Sequence, residues 1–276
     1  MDTRSRLRAQ DVLGWLADQG LEVFTIDDLV GRFDVPRQRA RDAAARMAEA
    51  NQVRRLKRGL YLALEPNHWN RPETPLVANW HVIAGYLAAP DPYFLAYYTA
   101  MELHRMIQHP LATVFVATTV QKDALRVGPV RFRFVTLTAR KFFGFEQRQL
   151  ERGRPVDVAD LERTFIDCVD RFDLCGGIEE VARGFARRHD DLDRERVLRY
   201  VIQLAKPVVT KRLGYLLEIT GHGDPKLLRE LERLAGTLKH YAPLVPGVDT
   251  AGVERSKRWE LLVNADADRL MEAART

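Results

Sequence analysis

The stretch 36-PRQRARDAAARMAEANQVRRLKRGLYL-62 holds eight Lys/Arg residues, at 37, 39, 41, 46, 54, 55, 57 and 58, against two acids at 42 and 49. The positive charge falls in two clusters on either side of an alanine-rich run. Ala40, Ala43, Ala44, Met47 and Ala50 recur at helical spacing and predict a helix from about Pro36 to Asn51. Pro36 suits its start, because the N–H that proline lacks would be unpaired there anyway. Arg37, Gln38, Arg41 and Asp42 fall off the apolar stripe, toward the outer face of the first turns. Beyond the helix, 53-VRRLKRGLYLAL-64 reads as two short strands around a turn at Gly59, with Leu60 and Leu62 alternating with Tyr61 and Ala63.

Two more helices precede this one. Residues 5–18 place Leu7, Val12, Leu13, Trp15 and Leu16 at roughly helical spacing, and Gly20 ends that run. The segment 25-TIDD-28 reads as a capping box with Asp28 in place of the usual Glu, opening a helix with Ile26, Leu29, Val30 and Phe33 on its apolar face. Helix, helix, helix and hairpin predict a winged helix-turn-helix. In that arrangement the start of the third helix enters the major groove and the wing holds phosphate. The expected base readers are Arg37, Gln38 and Arg41; the expected phosphate contacts are Arg54, Arg55, Lys57 and Arg58. The bland alternative is a solvated basic face, or a winged helix that contacts protein.

The whole chain gives weaker signals. Its 276 residues carry a net charge of +5, too little to imply nucleic acid by itself. At 46% apolar and 29% charged residues it has the composition of an ordinary soluble globular protein. No apolar run approaches the ~20 residues needed to cross a bilayer, and the N-terminus shows no signal peptide, so a cytoplasmic protein without membrane contact is expected. Serine occurs only at Ser5 and Ser256, and there is no GxSxG, P-loop, GxGxxG or HExxH. Cys168 and Cys175 offer neither a disulfide framework nor a zinc quartet and read as buried free thiols. No cofactor, metal site or catalytic residue is expected.

The expected fold class is α+β, with a winged helix-turn-helix over 1–65, a proline-bearing linker over 66–79 and a larger mixed α/β domain over 80–276. In the last, 80–88, 98–107, 159–172, 178–188, 193–205, 208–219 and 225–236 read as helices. Segments 112–119, 130–137 and 259–264 read as strands; the second alternates Val130, Phe132 and Phe134 with Arg131 and Arg133.

Two segments of that domain are the most distinctive, 157-DVADLERTFIDCVDRFDLCGGIEEVARGF-185 and 206-KPVVTKRLGYLLEITG-221. Together with LKRGLYLAL at the end of the hairpin and AMELHRM over 100–106, they resemble the AbiEi-type antitoxins of type IV toxin–antitoxin systems, over roughly residues 10–220. The resemblance implies a bifunctional protein. Its winged helix would bind repeats in its own promoter, as double-stranded DNA, and repress it. Its C-terminal domain would antagonise a nucleotidyltransferase toxin of the AbiEii type without a stable complex. The resemblance transfers no catalytic residue. Arg163, Asp167, Lys211, Arg212 and Glu218 are the polar candidates of its motifs, with ion pairing between packed helices as their other reading.

Two further readings remain open. An enzyme acting on nucleotides would need clustered carboxylates, for which Asp266, Asp268 and 190-DDLD-193 are the only suggestion. A regulator could instead sense a ligand or dimerise through its second domain. No heptad seam predicts a coiled coil, so a monomer that becomes cooperative on DNA is expected.

Overall fold

Thr25 and Asp28 start the second helix as their spacing demands. Thr25 Oγ1 accepts from the Asp28 N–H at 3.1 Å, and Asp28 Oδ2 accepts from the Thr25 N–H at 2.7 Å. The computed structural model describes residues 7–69, 78–108, 112–150, 153–236 and 240–275. Its chain begins α1 (Ala9–Asp18), β1 (Val23–Thr25), α2 (Ile26–Phe33), α3 (Arg37–Glu49), β2 (Val53–Lys57) and β3 (Leu60–Ala63). Pro36 is the non-helical residue before α3 rather than its first turn. Gly59 makes the hairpin turn at φ +78°, which an L side chain rarely adopts.

The three strands pair in the order β1-β3-β2, antiparallel throughout. β1 was not expected as a strand; three residues between a helix end and a capping box carry too little pattern. Val12, Leu16, Phe24, Ile26, Leu29, Ala40, Ala43, Ala44, Met47 and Val53 form one core. The alanines on α3 let helix backbones approach closely, and Phe24 stacks on Tyr61 with ring centroids 5.6 Å apart.

The chain divides into two compact units. The first is Met1–Pro90 with Ala124–Phe132 and Gln147–Val156; the second is Asp91–Asp123, Arg133–Glu146 and Asp157–Thr276. The first unit thus runs past the expected linker, most of which (70–77) lies outside the described residues. It includes α4 (Trp80–Ala88), whose Tyr86 hydroxyl donates to the Val23 carbonyl at 3.0 Å. It also takes up Gly153 and Arg154. The Gly153 N–H donates to the Gly20 carbonyl at 2.9 Å, and the Arg154 guanidinium, lying over the Tyr86 ring, reaches Asp28 Oδ1 at 2.5 Å. The capping carboxylate of α2 therefore serves a second partner 126 residues downstream.

The remaining elements are β4 (Tyr93–Leu95), α5 (Tyr97–Leu103), β5 (Thr113–Thr118), β6 (Leu125–Val127), β7 (Val130–Thr136), β8 (Phe145–Arg148), β9 (Val156–Ala159), α6 (Leu161–Asp170), α7 (Ile178–Arg188), α8 (Arg194–Leu204), α9 (Pro207–Ile219), α10 (Pro225–Ala235), β10 (Ala242–Pro243), β11 (Glu254–Ser256), β12 (Leu261–Val263) and α11 (Ala267–Ala273). Strands β4 to β9 form a six-stranded sheet in the order β6-β7-β5-β4-β9-β8, and the last three strands pair as β10-β12-β11. The class is α+β. In the second unit α6 is buried on every side from Leu161 to Val169, and α9 from Val209 to Leu217. A helix buried all round has no solvent face for its polar residues, so they must find partners inside.

Candidate nucleic-acid interface

Of the six residues that follow Pro36 on α3, all but one are exposed. Arg37, Gln38, Arg39, Arg41 and Asp42 are exposed, and Ala40 between them is buried. Arg37 makes an ion pair with Asp27 in the first turn of α2. Both side chains are more than half exposed, and such pairs are worth only about 0–1 kcal/mol, so the pair holds the Arg37 guanidinium only weakly. The Gln38 amide donates to Asp42 Oδ1 at 2.8 Å, one helical turn on. Arg39 was not among the expected base readers; it is exposed beside them, and its place in the first charge cluster was the available signal.

The second cluster lies on β2 and the turn that follows it. Arg55, Lys57 and Arg58 are exposed and Arg54 is half-buried. The Arg55 Nε donates to the Lys57 carbonyl at 3.4 Å, where the β2–β3 register shifts between these two residues. The turn is anchored to the helix pair, because the Ile26 N–H donates to the Gly59 carbonyl at 3.1 Å. Both clusters belong to the first unit.

The five polar candidates of the second unit sit differently. Arg163, Asp167, Lys211 and Arg212 are at most 5% exposed. Arg163 Nε donates to Asp167 Oδ1 at 2.9 Å, and its Nη1 donates to the carbonyls of Lys141 and Phe143 at 2.8 and 3.0 Å. Its guanidinium also lies 4.5 Å from the centroid of the Phe143 ring and 5.6 Å from that of Phe94. Burial pushes the Asp167 carboxyl above the usual range, with Arg163 opposing the shift. Arg212 Nη2 donates to the Pro243 carbonyl at 2.9 Å, and Lys211 pairs with Glu260. Burial lowers the Arg212 pKa. Glu218 is half-buried; it pairs with Arg258 and accepts the Trp259 indole N–H at 2.5 Å. Four of the five are therefore packing groups that a partner cannot touch while the helices hold. Sequence periodicity could not separate the two readings, since it marks polar positions without saying what covers them.

Trp259 and Gly214 meet at a contact the sequence did not signal. Trp259 is fully buried, and its ring lies where a Cβ on Gly214 would sit, 2.1 Å from the nearest ring carbon. Cys168 and Cys175 are free and buried, and burial, with Cys168 beside it, raises the Cys175 thiol. The acidic motifs act as helix caps: Asp266 accepts from the Asp268 and Arg269 N–H groups at the start of α11, and Asp193 accepts from Arg196 N–H at the start of α8. Among the described residues no group of three His, Cys, Asp or Glu side chains is placed to hold a metal ion, and no helix is long and apolar enough to cross a membrane.

No protein-family model matches the chain, and no curated protein sequence matches it. Among solved structures, the crystal structure of the RV2827C protein from Mycobacterium tuberculosis is similar over nearly the full length. Its TM-score is 0.65 at 16% identity, and the match covers 97% of this chain and 96% of that one. At that identity the likeness speaks to the fold alone.

Proposed function

We propose that this protein represses its own promoter through the N-terminal unit and antagonises a nucleotidyltransferase toxin of the AbiEii type through its larger C-terminal part, as a type IV antitoxin. The observation that carries the DNA half is the arrangement of α1, β1, α2, α3 and the β2–β3 hairpin, with sheet order β1-β3-β2, exposed Arg37, Arg39 and Arg41 at the start of α3, and exposed Arg55, Lys57 and Arg58 on β2 and the hairpin turn. This order of elements supports the winged helix-turn-helix reading. In it α3 enters the major groove with Arg37, Gln38 and Arg41 toward base edges, and Arg55, Lys57 and Arg58 hold phosphate. Arg54, half-buried, contributes to the same wing.

The antitoxin half is supported by the sequence resemblance at 157–185 and 206–221, which lies on the buried helices α6 and α9 and on α7. Its antagonising surface is then formed by residues that cover these helices, not by Arg163 or Lys211. In this reading the protein works in the cytoplasm, as a monomer that binds repeated operator half-sites cooperatively.

The test is fluorescence anisotropy of the purified protein on the DNA upstream of its own gene, at two salt concentrations and with unrelated DNA as competitor. Tight binding that survives the competitor and weakens with salt supports the repressor reading; binding no tighter than to unrelated DNA overturns it. A second arm co-expresses a nucleotidyltransferase toxin of the AbiEii type. If growth is not rescued while operator binding holds, the antitoxin half falls, and a winged-helix regulator with a ligand-sensing or dimerising second domain takes its place.

A further inference from the structure

The outward line of α3 is not basic. The buried residues Ala40, Ala43, Ala44 and Met47 fix the inward face, and the exposed residues opposite them are Gln38, Asp42, Ala45 and Glu49. Positions 38, 42, 45 and 49 follow one another at four- and three-residue steps, the spacing of a single helix face. The arginines flank this line: Arg41 lies to one side, and Arg39 and Arg46 to the other, where Arg46 Nη2 donates back to the Leu7 carbonyl at 3.3 Å. A carboxylate therefore stands in the second turn of the helix, where a groove-reading helix comes nearest the bases.

A carboxylate there is costly beside DNA, which carries a negative charge about every 1.7 Å of its axis. It is tolerable only where a base offers it a donor. We infer that Asp42, oriented by Gln38, is the specificity-determining residue of this helix and reads the amino group of a cytosine in the major groove; the inference rests on the DNA-binding reading above. The Gln38 amide donates to Asp42 Oδ1 and so steadies the carboxylate without occupying Oδ2, a pure acceptor. Cytosine presents an amino donor with no acceptor beside it. Adenine presents a donor next to its N7 acceptor, and guanine and thymine lead with acceptors. Of the four bases, cytosine alone offers a carboxylate oxygen a donor with no acceptor on its own major-groove edge. Ala45, on the same line, is of a size to meet a thymine methyl group.

The experiment selects binding sites from a randomised DNA library with the wild-type full chain, with Asp42→Ala and with Asp42→Asn, and measures anisotropy on the selected sites. Asp42 is exposed and caps no helix, so circular dichroism is expected to show all three chains equally folded. The expected result is a cytosine at one fixed operator position for the wild type, with roughly tenfold or greater discrimination against the other bases. Asp42→Ala loses that preference while binding to unrelated DNA stays equal or tightens. Asp42→Asn moves the preference toward adenine, which an amide matches. If the wild type selects a defined site and both variants select the same one, the inference is overturned and the DNA-binding reading stands. If the wild type selects no site, both fall.

Discussion

Replacing Gly214 with alanine sets two physical effects against each other, and the structure decides which one wins. In the middle of α9, alanine is favoured over glycine by about 1 kcal/mol through backbone entropy. The added Cβ would lie 2.1, 2.2 and 2.6 Å from three ring carbons of Trp259. Carbon atoms in contact sit about 3.5–4.0 Å apart, so the ring must retreat by roughly 1.4 Å or more. Trp259 is fully buried, and its indole N–H is committed to Glu218 Oε2 at 2.5 Å. Overpacking costs about 1–3 kcal/mol, and weakening a hydrogen bond to a charged group costs about 1.5–3 kcal/mol more. The net expectation is a loss of about 3 kcal/mol, read from urea denaturation followed by circular dichroism. Gly31→Ala on α2 is the control, because no atom lies within 4 Å of its added Cβ; it should be neutral or stabilising by up to about 1 kcal/mol. In a Trp259→Leu background the cost of Gly214→Ala should shrink, giving a coupling energy well above additivity. If Gly214→Ala were as harmless as Gly31→Ala, the close contact between α9 and Trp259 would be refuted.

Other expectations follow from the same geometry. Arg163→Met leaves Asp167 buried without its cation and should cost about 3–5 kcal/mol in urea denaturation; a cost under about 1 kcal/mol would mean that the pair is not buried as described. The pH dependence has a definite sign: Asp167 is raised in the folded state, so both states are protonated below the unfolded value of about 4. As pH rises from there through the folded value, the unfolded chain ionises first and stability is lost. The stability difference between wild type and Asp167→Asn should accordingly fall as pH rises across that window, and a rise would contradict the burial argument. On operator DNA, Arg58→Ala should weaken all sequences alike and reduce the salt slope by about 0.9, as loss of one phosphate contact requires; a changed sequence preference would reassign Arg58 to base reading.

What could be read in advance follows from what each element needs. α2, α3 and the hairpin were legible because caps, a 3.6-residue apolar stripe and a glycine turn are local signals, and Thr25, Ala40 to Met47 and Gly59 supply them. The expected helix over 178–188 coincides with α7 (Ile178–Arg188). Strands of three or four residues such as β4, β6 and β9 were missed, since so short a run shows no period. The capping roles of Asp193 and Asp266 were hidden inside acidic motifs that look like metal ligands. The candidate base readers were found by charge, which favoured arginines; the apolar stripe already placed Gln38 and Asp42 outward, but the hydrogen bond between them is seen only in the structure. The burial of Arg163 and Lys211 depends on helices far apart in sequence and has no local signature.

The contacts of Asp28 with Arg154 and of Gly20 with Gly153 have a meaning for synthesis. A chain emerging from the ribosome has completed α1 to β3 by residue 63, yet the unit containing them closes only when Gln147–Val156 is made. More than half of the polypeptide must be translated before the first unit reaches its final form. A gene product truncated before residue 147 would carry every residue expected to touch DNA and still lack the segment that ties the start of α2, so translation through residue 156 is what completes the N-terminal unit.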